Sequence, residues 1–161
     1  MTAEPTRPIL ALPPEGVGRP AVKVAWAGVA VQALAAATAL AAGAGRGPHV
    51  VVCVLLALGG LAASALAFVR AVARSRTELV DVAGLFLLLG SAPKRTRGWL
   101  WGAVATQTTL GVATAVARPY TSLAFGVLTP LWAYGLTIWW NARYGAFPPG
   151  PGAPRVHAPV R

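Results

Sequence analysis

The chain has 161 residues, of which 56% are hydrophobic and 11% charged, with a mean hydropathy of +0.61. A soluble domain carries about 25% charged residues because its surface faces water, so this composition favours a single domain whose surface faces lipid. The formal net charge is +10, but the bases fall between apolar runs and do not cluster on one water-facing surface, which argues against nucleic acid as a partner.

The amino-terminal part divides into a polar arm and a first apolar run. Residues 1–22 are rich in proline and show no apolar period, so we predict a disordered cytoplasmic arm. Residues 24–42 are apolar and follow Lys23, an order that a cleavable signal peptide also shows. The run is longer than the roughly 7–15 apolar residues of a signal peptide, so we predict a first transmembrane helix.

Small residues at helical spacing mark predicted packing positions. A turn rich in glycine precedes the second apolar run, residues 50–69, which holds no charged residue. Gly60 and Ser64 lie four residues apart in this run, and Gly98 and Gly102 repeat that spacing at the start of the third. Small side chains let a second helix approach closely in a membrane, so we predict helix contacts at these four positions.

The connection between the second and third spans holds a short apolar segment. Residues 79–92 would reach roughly 21 Å as a helix, against a hydrocarbon core of about 30 Å. Ser75 and Glu78 fit a capping box before the segment. We predict a re-entrant or interfacial helix over about 76–90, and its alternatives (entering the membrane, lying flat, or docking on the bundle) stay open.

Six bases flank this short helix and should all stay on one side of the membrane. They are Arg70, Arg74, Arg76, Lys94, Arg95 and Arg97. Such a cluster attracts anionic lipid headgroups at about 1 kcal/mol per base. The same bases also orient the protein, and that general role is sufficient to explain them.

The third and fourth spans are predicted over residues 99–117 and 123–140. The turn between them is short, so the two helices should be antiparallel neighbours. In the fourth span Pro130 lacks a backbone N–H, and its ring crowds the carbonyl of Gly126. We therefore predict a kink at this pair.

Charge asymmetry predicts the topology. Of the 14 bases, two lie in the short turns, Arg46 and Arg118, and the rest lie in the arm, the central connection or the carboxyl end. Bases favour the cytoplasmic side, so both termini should be cytoplasmic, including a disordered proline-rich tail over 146–161. The predicted fold is all-α: four transmembrane helices in two antiparallel hairpins over residues 23–145, in a bacterial plasma membrane.

A few polar residues lie in or beside the spans. Glu78 and Asp81 are three residues apart and could bind a cation or pass a proton, although a helix cap and an ion pair are favoured. Gln107 and Gln32 could line a polar path, or bond across helices, which is favoured. We keep Glu78, Asp81 and Gln107 as candidate ion-path residues.

No catalytic, cofactor or metal site is predicted. We predict no metal site at His49 and His157, which lie far apart and for which we expect no cysteine or acid at ligand spacing, and Cys53 is the only cysteine. The sequence shows no Ser-His-Asp set and no glycine-rich phosphate loop. We therefore do not expect an enzyme.

Several short stretches characterise the second half of the chain. They are Gly-Ser-Ala-Pro at 90–93, Ala-Arg-Pro-Tyr-Thr-Ser-Leu-Ala-Phe-Gly at 117–126, and Ala-Arg-Tyr-Gly at 142–145 followed by Phe-Pro-Pro at 147–149. In these stretches the chain resembles small integral membrane proteins of actinobacteria. No activity is attached to that group, so the resemblance implies a location and a source but no mechanism.

The sequence favours a non-catalytic membrane protein that acts through helix–helix association, with itself or with a larger membrane partner. The alternative is a small channel or transporter in which the half-length helix over 76–90 forms the pore or gate. A membrane enzyme is disfavoured because histidines, cysteines and acids are scarce.

Overall fold

The computed structural model describes residues 11–42 and 46–150, in which the regular secondary structure is helical, with no strand of a sheet. Five α-helices and one 3₁₀ helix occur in the order α1 (Arg19–Ala42), α2 (Arg46–Arg74), α3 (Val82–Leu87), α4 (Lys94–Ala117), the 3₁₀ helix (Ser122–Leu128) and α5 (Pro130–Tyr144). The predicted all-α class is confirmed.

Three segments are long and apolar enough to cross a membrane: Arg19–Ala41, Gly47–Arg74 and Ser122–Tyr144. The last combines the 3₁₀ helix with α5. The predicted third span, α4, has 24 residues and could reach about 36 Å. α4 is not among the three segments, because Gln107 and the threonines of this helix lower its mean hydropathy. The fold thus has the character of a membrane protein, and a fourth span is not established by composition.

The helices form a bundle with one strongly basic end. α1 and α4 begin together there, since Trp26 Nε1 donates to the Trp99 carbonyl over 3.2 Å. α2 and α5 end together, where Arg74 NH1 donates to the Ala142 carbonyl over 3.0 Å. α1 and α4 are therefore parallel to each other, as are α2 and α5. We call the end of the bundle where α1 and α4 begin and α2 and α5 end the basic end.

Glycines set the closest helix contacts. α2 and α5 share the most extensive interface of the bundle. A Cβ on Gly60 would overlap the Leu131 carbonyl, and a Cβ on Gly135 would overlap the Gly60 carbonyl. Gly111 of α4 approaches the Gly126 carbonyl of the 3₁₀ helix in the same way. Backbones that touch like this gain dispersion contacts along the whole interface, which substitutes for the hydrophobic effect in lipid.

The short helix is much shorter than predicted. α3 has six residues, and Asp81 is its N-cap, accepting the Gly84 N–H over 2.8 Å. The predicted capping box is wrong, because Ser75 donates its hydroxyl to the Val72 carbonyl, within the last turn of α2. The predicted helix over 76–90 loses its first part because residues 77–79 pair with another segment.

That segment is the start of the predicted disordered tail. The Leu79 N–H donates to the Pro148 carbonyl and the Gly150 N–H to the Thr77 carbonyl, both over 2.8 Å. Phe147 is 8% exposed and belongs to a core cluster with residues of α2, α3 and α5. The prediction of disorder is therefore wrong for residues 146–150, while 151–161 lie outside the described residues.

The predicted disordered arm is also too long. α1 begins at Arg19, and the Val17 carbonyl accepts the Trp140 indole N–H over 3.2 Å. Pro20 fits the first turn of α1, because an N–H at that position would have no helical acceptor. Disorder is wrong for the end of the predicted arm over 1–22, and residues 1–10 lie outside the described residues.

Candidate functional site

Two glutamines meet inside the bundle, and both are 0% exposed. Gln32 of α1 donates Nε2 to the Gln107 backbone carbonyl in α4 over 3.3 Å. Gln107 Oε1 accepts the backbone N–H of Ala133 in α5 over 3.2 Å. That N–H is free because the Thr129 carbonyl accepts from Trp132 instead. The two side chains, which we call the glutamine pair, thus connect three helices.

The glutamine pair leaves one acceptor and one donor without a partner in the described part of the chain, Gln32 Oε1 and Gln107 Nε2. Both atoms are buried. The bonds that do form run between helices, which agrees with the favoured interpretation of Gln107 as an interhelical contact.

The two candidate acids have local partners. Glu78 Oε2 accepts from Arg74 Nε over 2.9 Å, and Asp81 caps α3. The side chain of Glu78 is 30% exposed and Asp81 is exposed. Neither acid contacts Gln107, so the structure does not bring the three candidate ion-path residues together.

Arg74 is a structural hub at the basic end. Besides binding Glu78, its guanidinium donates to the Ala142 carbonyl over 3.0 Å and to the Gly145 carbonyl over 2.9 Å. It also lies over the Phe147 ring, 5.1 Å from the centroid. The last carbonyls of α5 have no helical donor, so a cation placed there satisfies both their hydrogen bonds and the helix dipole. Sequence reasoning missed this role because the acceptors are about 70 residues away along the chain.

The remaining bases of the central connection are less engaged. Arg70, Arg76, Lys94 and Arg95 are exposed, and Arg97 is partly exposed. Arg95 lies 4.0 Å from the Glu15 carboxylate, with both side chains about two-thirds exposed. Most of these side chains are therefore accessible from outside the bundle.

The four predicted packing positions have different surroundings. Gly60 touches the α5 backbone, and Ser64 donates its hydroxyl to the Gly60 carbonyl over 2.9 Å. A Cβ on Gly102 would lie 3.6 Å from Trp26 Cζ2, an ordinary contact. A Cβ on Gly98 would meet nothing within 4 Å. Of the four, Gly60 lies in the tight interface and Gly98 faces open space.

The predicted kink pair lies where the 3₁₀ helix gives way to α5. Pro130 is the first residue of α5. The Gly126 carbonyl, four residues earlier, accepts the Thr129 N–H over 3.2 Å and the Thr129 hydroxyl over 2.7 Å. The change of helix type therefore leaves the carbonyl opposite the proline ring with two donors.

One polar contact was missed by the sequence analysis. Cys53 Sγ lies 3.4 Å from His49 Nε2, and both residues are buried in α2. Four residues make one helical turn, so the spacing alone would have predicted the contact. The described residues hold no group of three or more metal-ligating side chains.

The chain matches no protein-family model, no curated protein and no solved structure. Its class is therefore defined by the fold: a helical protein with three segments able to cross a membrane.

Proposed function

We propose that this chain is a non-catalytic, multi-pass membrane protein that acts through helix–helix association, with a second copy of itself or with a larger membrane partner. The three apolar segments support the membrane location. The resemblance to small actinobacterial membrane proteins supports a bacterial plasma membrane.

The proposed topology has four spans, with α4 crossing beside α1 and both termini in the cytoplasm. α4 is parallel to α1, starts at the same end and has the same length of 24 residues. The basic end would face the cytoplasm, in accord with the positive-inside rule. The opposite end carries Arg118 beside the α4 terminus.

The exposed face of α4 carries the association proposal. Five exposed residues share one face at helical spacing: Ala105, Thr108, Thr109, Val112 and Val116. The hydroxyls of Thr108 and Thr109 donate to carbonyls one turn earlier, each over 2.9 Å. We call these five residues the α4 small face. It combines one alanine and two threonines with two valines, whereas the exposed surfaces of the other helices are richer in leucine and valine. Small residues and threonine are typical of helix interfaces in membranes.

The geometry gives the channel or transporter alternative less support. α3 has six residues and reaches about 9 Å, too short to form a pore or gate across the bilayer. Asn141 Nδ2 in α5 donates to the Leu85 carbonyl of α3. Asn141 lies eight residues along α5 from Ala133, whose N–H binds Gln107. That is about 12 Å of helix, so the acids of the connection and the glutamine pair do not form one path.

The association is tested by adding bulk to the α4 small face. We expect Ala105→Leu to reduce oligomer formation in lipid vesicles at least ten-fold, because the larger side chain prevents close approach of a second helix. Ala65→Leu is the matched control, since Ala65 is exposed on α2 outside this face. Oligomer number is read from single-molecule photobleaching of labelled protein.

If the wild-type protein is monomeric in vesicles, association with a second copy is excluded and only association with a larger membrane partner remains. Purification from native membranes in mild detergent should then give a stoichiometric complex that Ala105→Leu dissociates and Ala65→Leu does not. A monomer in both settings, or equal effects of the two variants, would overturn the proposal.

A further inference from the structure

A cleft of about 550 Å³ opens at the basic end between the first turns of α1 and α4. The turn before α1 closes one side of it. Three bases line it, Arg19, Lys23 and Arg95, together with the acid Glu15. The apolar part of the lining includes Trp26 and Trp99.

The electrostatics of the cleft favour an anion. Three positive side chains line the cleft together with a single carboxylate, that of Glu15. The ion pair of Glu15 is weak, because its carboxylate lies 4.0 Å from Arg95 and both side chains are exposed. The amino-terminal ends of α1 and α4 also converge here. Each helix contributes roughly half a positive charge at its amino terminus. An incoming anion would thus meet five sources of positive potential and displace one loosely held acid.

The tryptophans give the cleft an apolar wall. Their rings are 5.9 Å apart in an edge-to-face arrangement, and the bond from Trp26 Nε1 to the Trp99 carbonyl fixes the pair. Tryptophan prefers the headgroup level of a bilayer, where one side of the ring meets acyl chains and the other meets water. A charged rim above an apolar wall matches a molecule with an anionic head and a hydrocarbon tail.

We propose that this cleft binds one anionic phospholipid, with the headgroup phosphate held by Arg19, Lys23 and Arg95 and the acyl chains along Trp26 and Trp99. The site shares Arg95 with the basic central connection but is otherwise distinct from it, since Arg70, Arg76 and Arg97 do not line it. It requires a membrane location but not the association proposed above. A free phosphate shares the headgroup chemistry, whereas only a lipid uses the tryptophan wall.

The test is native mass spectrometry of the full chain in detergent. Phosphatidylglycerol, phosphatidylcholine and inorganic phosphate are added separately. We expect one phosphatidylglycerol per chain, little phosphatidylcholine and no retained phosphate. Lys23→Gln and Arg95→Gln should each weaken phosphatidylglycerol binding about five-fold, the effect of one base at a membrane surface. Glu15→Gln should strengthen it, because the competing carboxylate is removed.

Arg76→Gln is the matched control, being an exposed base of the same end that lies outside the cleft. An equal loss with Arg76→Gln, or equal binding of phosphatidylcholine, would overturn the proposal, because binding would then reflect total charge or any lipid. Phosphate binding that is unaffected by Trp99→Ala and blocks the lipid would overturn the lipid assignment in favour of a free anion. Melting temperatures of all variants in detergent verify that each is folded.

Discussion

Single glycines decide how closely the helices of this bundle approach. Gly60 of α2 and Gly135 of α5 place two backbones in direct contact. Gly98 shows the same sequence spacing to Gly102 that Gly60 shows to Ser64, yet a Cβ at Gly98 would meet nothing within 4 Å. The spacing is a property of one helix, whereas the contact depends on a second helix far away in the chain.

This difference can be measured with one substitution at each site. Gly60→Ala should destabilise the protein by about 1–3 kcal/mol, since the added methyl collides with the Leu131 carbonyl, which cannot move independently of α5. Gly98→Ala should stabilise it by about 0.5–1 kcal/mol, because alanine restricts the unfolded chain and meets no obstacle. Unfolding in detergent, followed by circular dichroism, gives both values. Equal effects at the two sites would contradict the observed interface.

At the scale of elements, the extended segment after α5, residues 146–150, is held by side chains as well as by its backbone. Arg74 connects the end of α2 to the last turn of α5 and to the beginning of that segment. The segment in turn pairs with residues 77–79, which prevents them from continuing into a helix. The start of α3 is therefore limited by a tertiary contact as well as by its local Asp81 cap.

Replacing Arg74 should weaken the contacts between the end of α2, the end of α5 and residues 146–150. We expect Arg74→Ala to cost about 2–3 kcal/mol, because two buried carbonyls and Glu78 lose a charged donor. Arg74→Lys should recover only part of this, since an ammonium group cannot reproduce the planar fork of the guanidinium. Hydrogen exchange should rise in residues 77–80 and 146–150.

Arg76→Ala serves as the control for the Arg74 variants. Arg76 is exposed two residues further along the chain, and its loss should change stability by less than about 0.5 kcal/mol. Unchanged hydrogen exchange in Arg74→Ala would show that the extended segment does not depend on this side chain.

At the scale of the molecule, the direction of α4 decides the topology. In a Cys53→Ala background, cysteines placed at Arg118 and Thr121 should react with a membrane-impermeant maleimide added to intact cells. Cysteines placed at Arg76 and Lys94 should react only after permeabilisation, because the proposed topology places their cluster of bases in the cytoplasm. Reaction at Lys94 but not at Arg118 would reverse the proposed orientation, and equal reaction at both would mean that α4 does not cross.

The sequence by itself determined the all-helical class, the apolar character of three segments and the break near Pro130. These follow from local properties: hydropathy over about 20 residues and the missing N–H of a proline. Tertiary structure alone decided that Gln107 meets Ala133, that Gly60 but not Gly98 touches a neighbour, and that the polypeptide after α5 packs on residues 77–80. Each of these contacts joins residues distant in the chain, and its free energy depends on which helix faces which, a choice that no local pattern specifies.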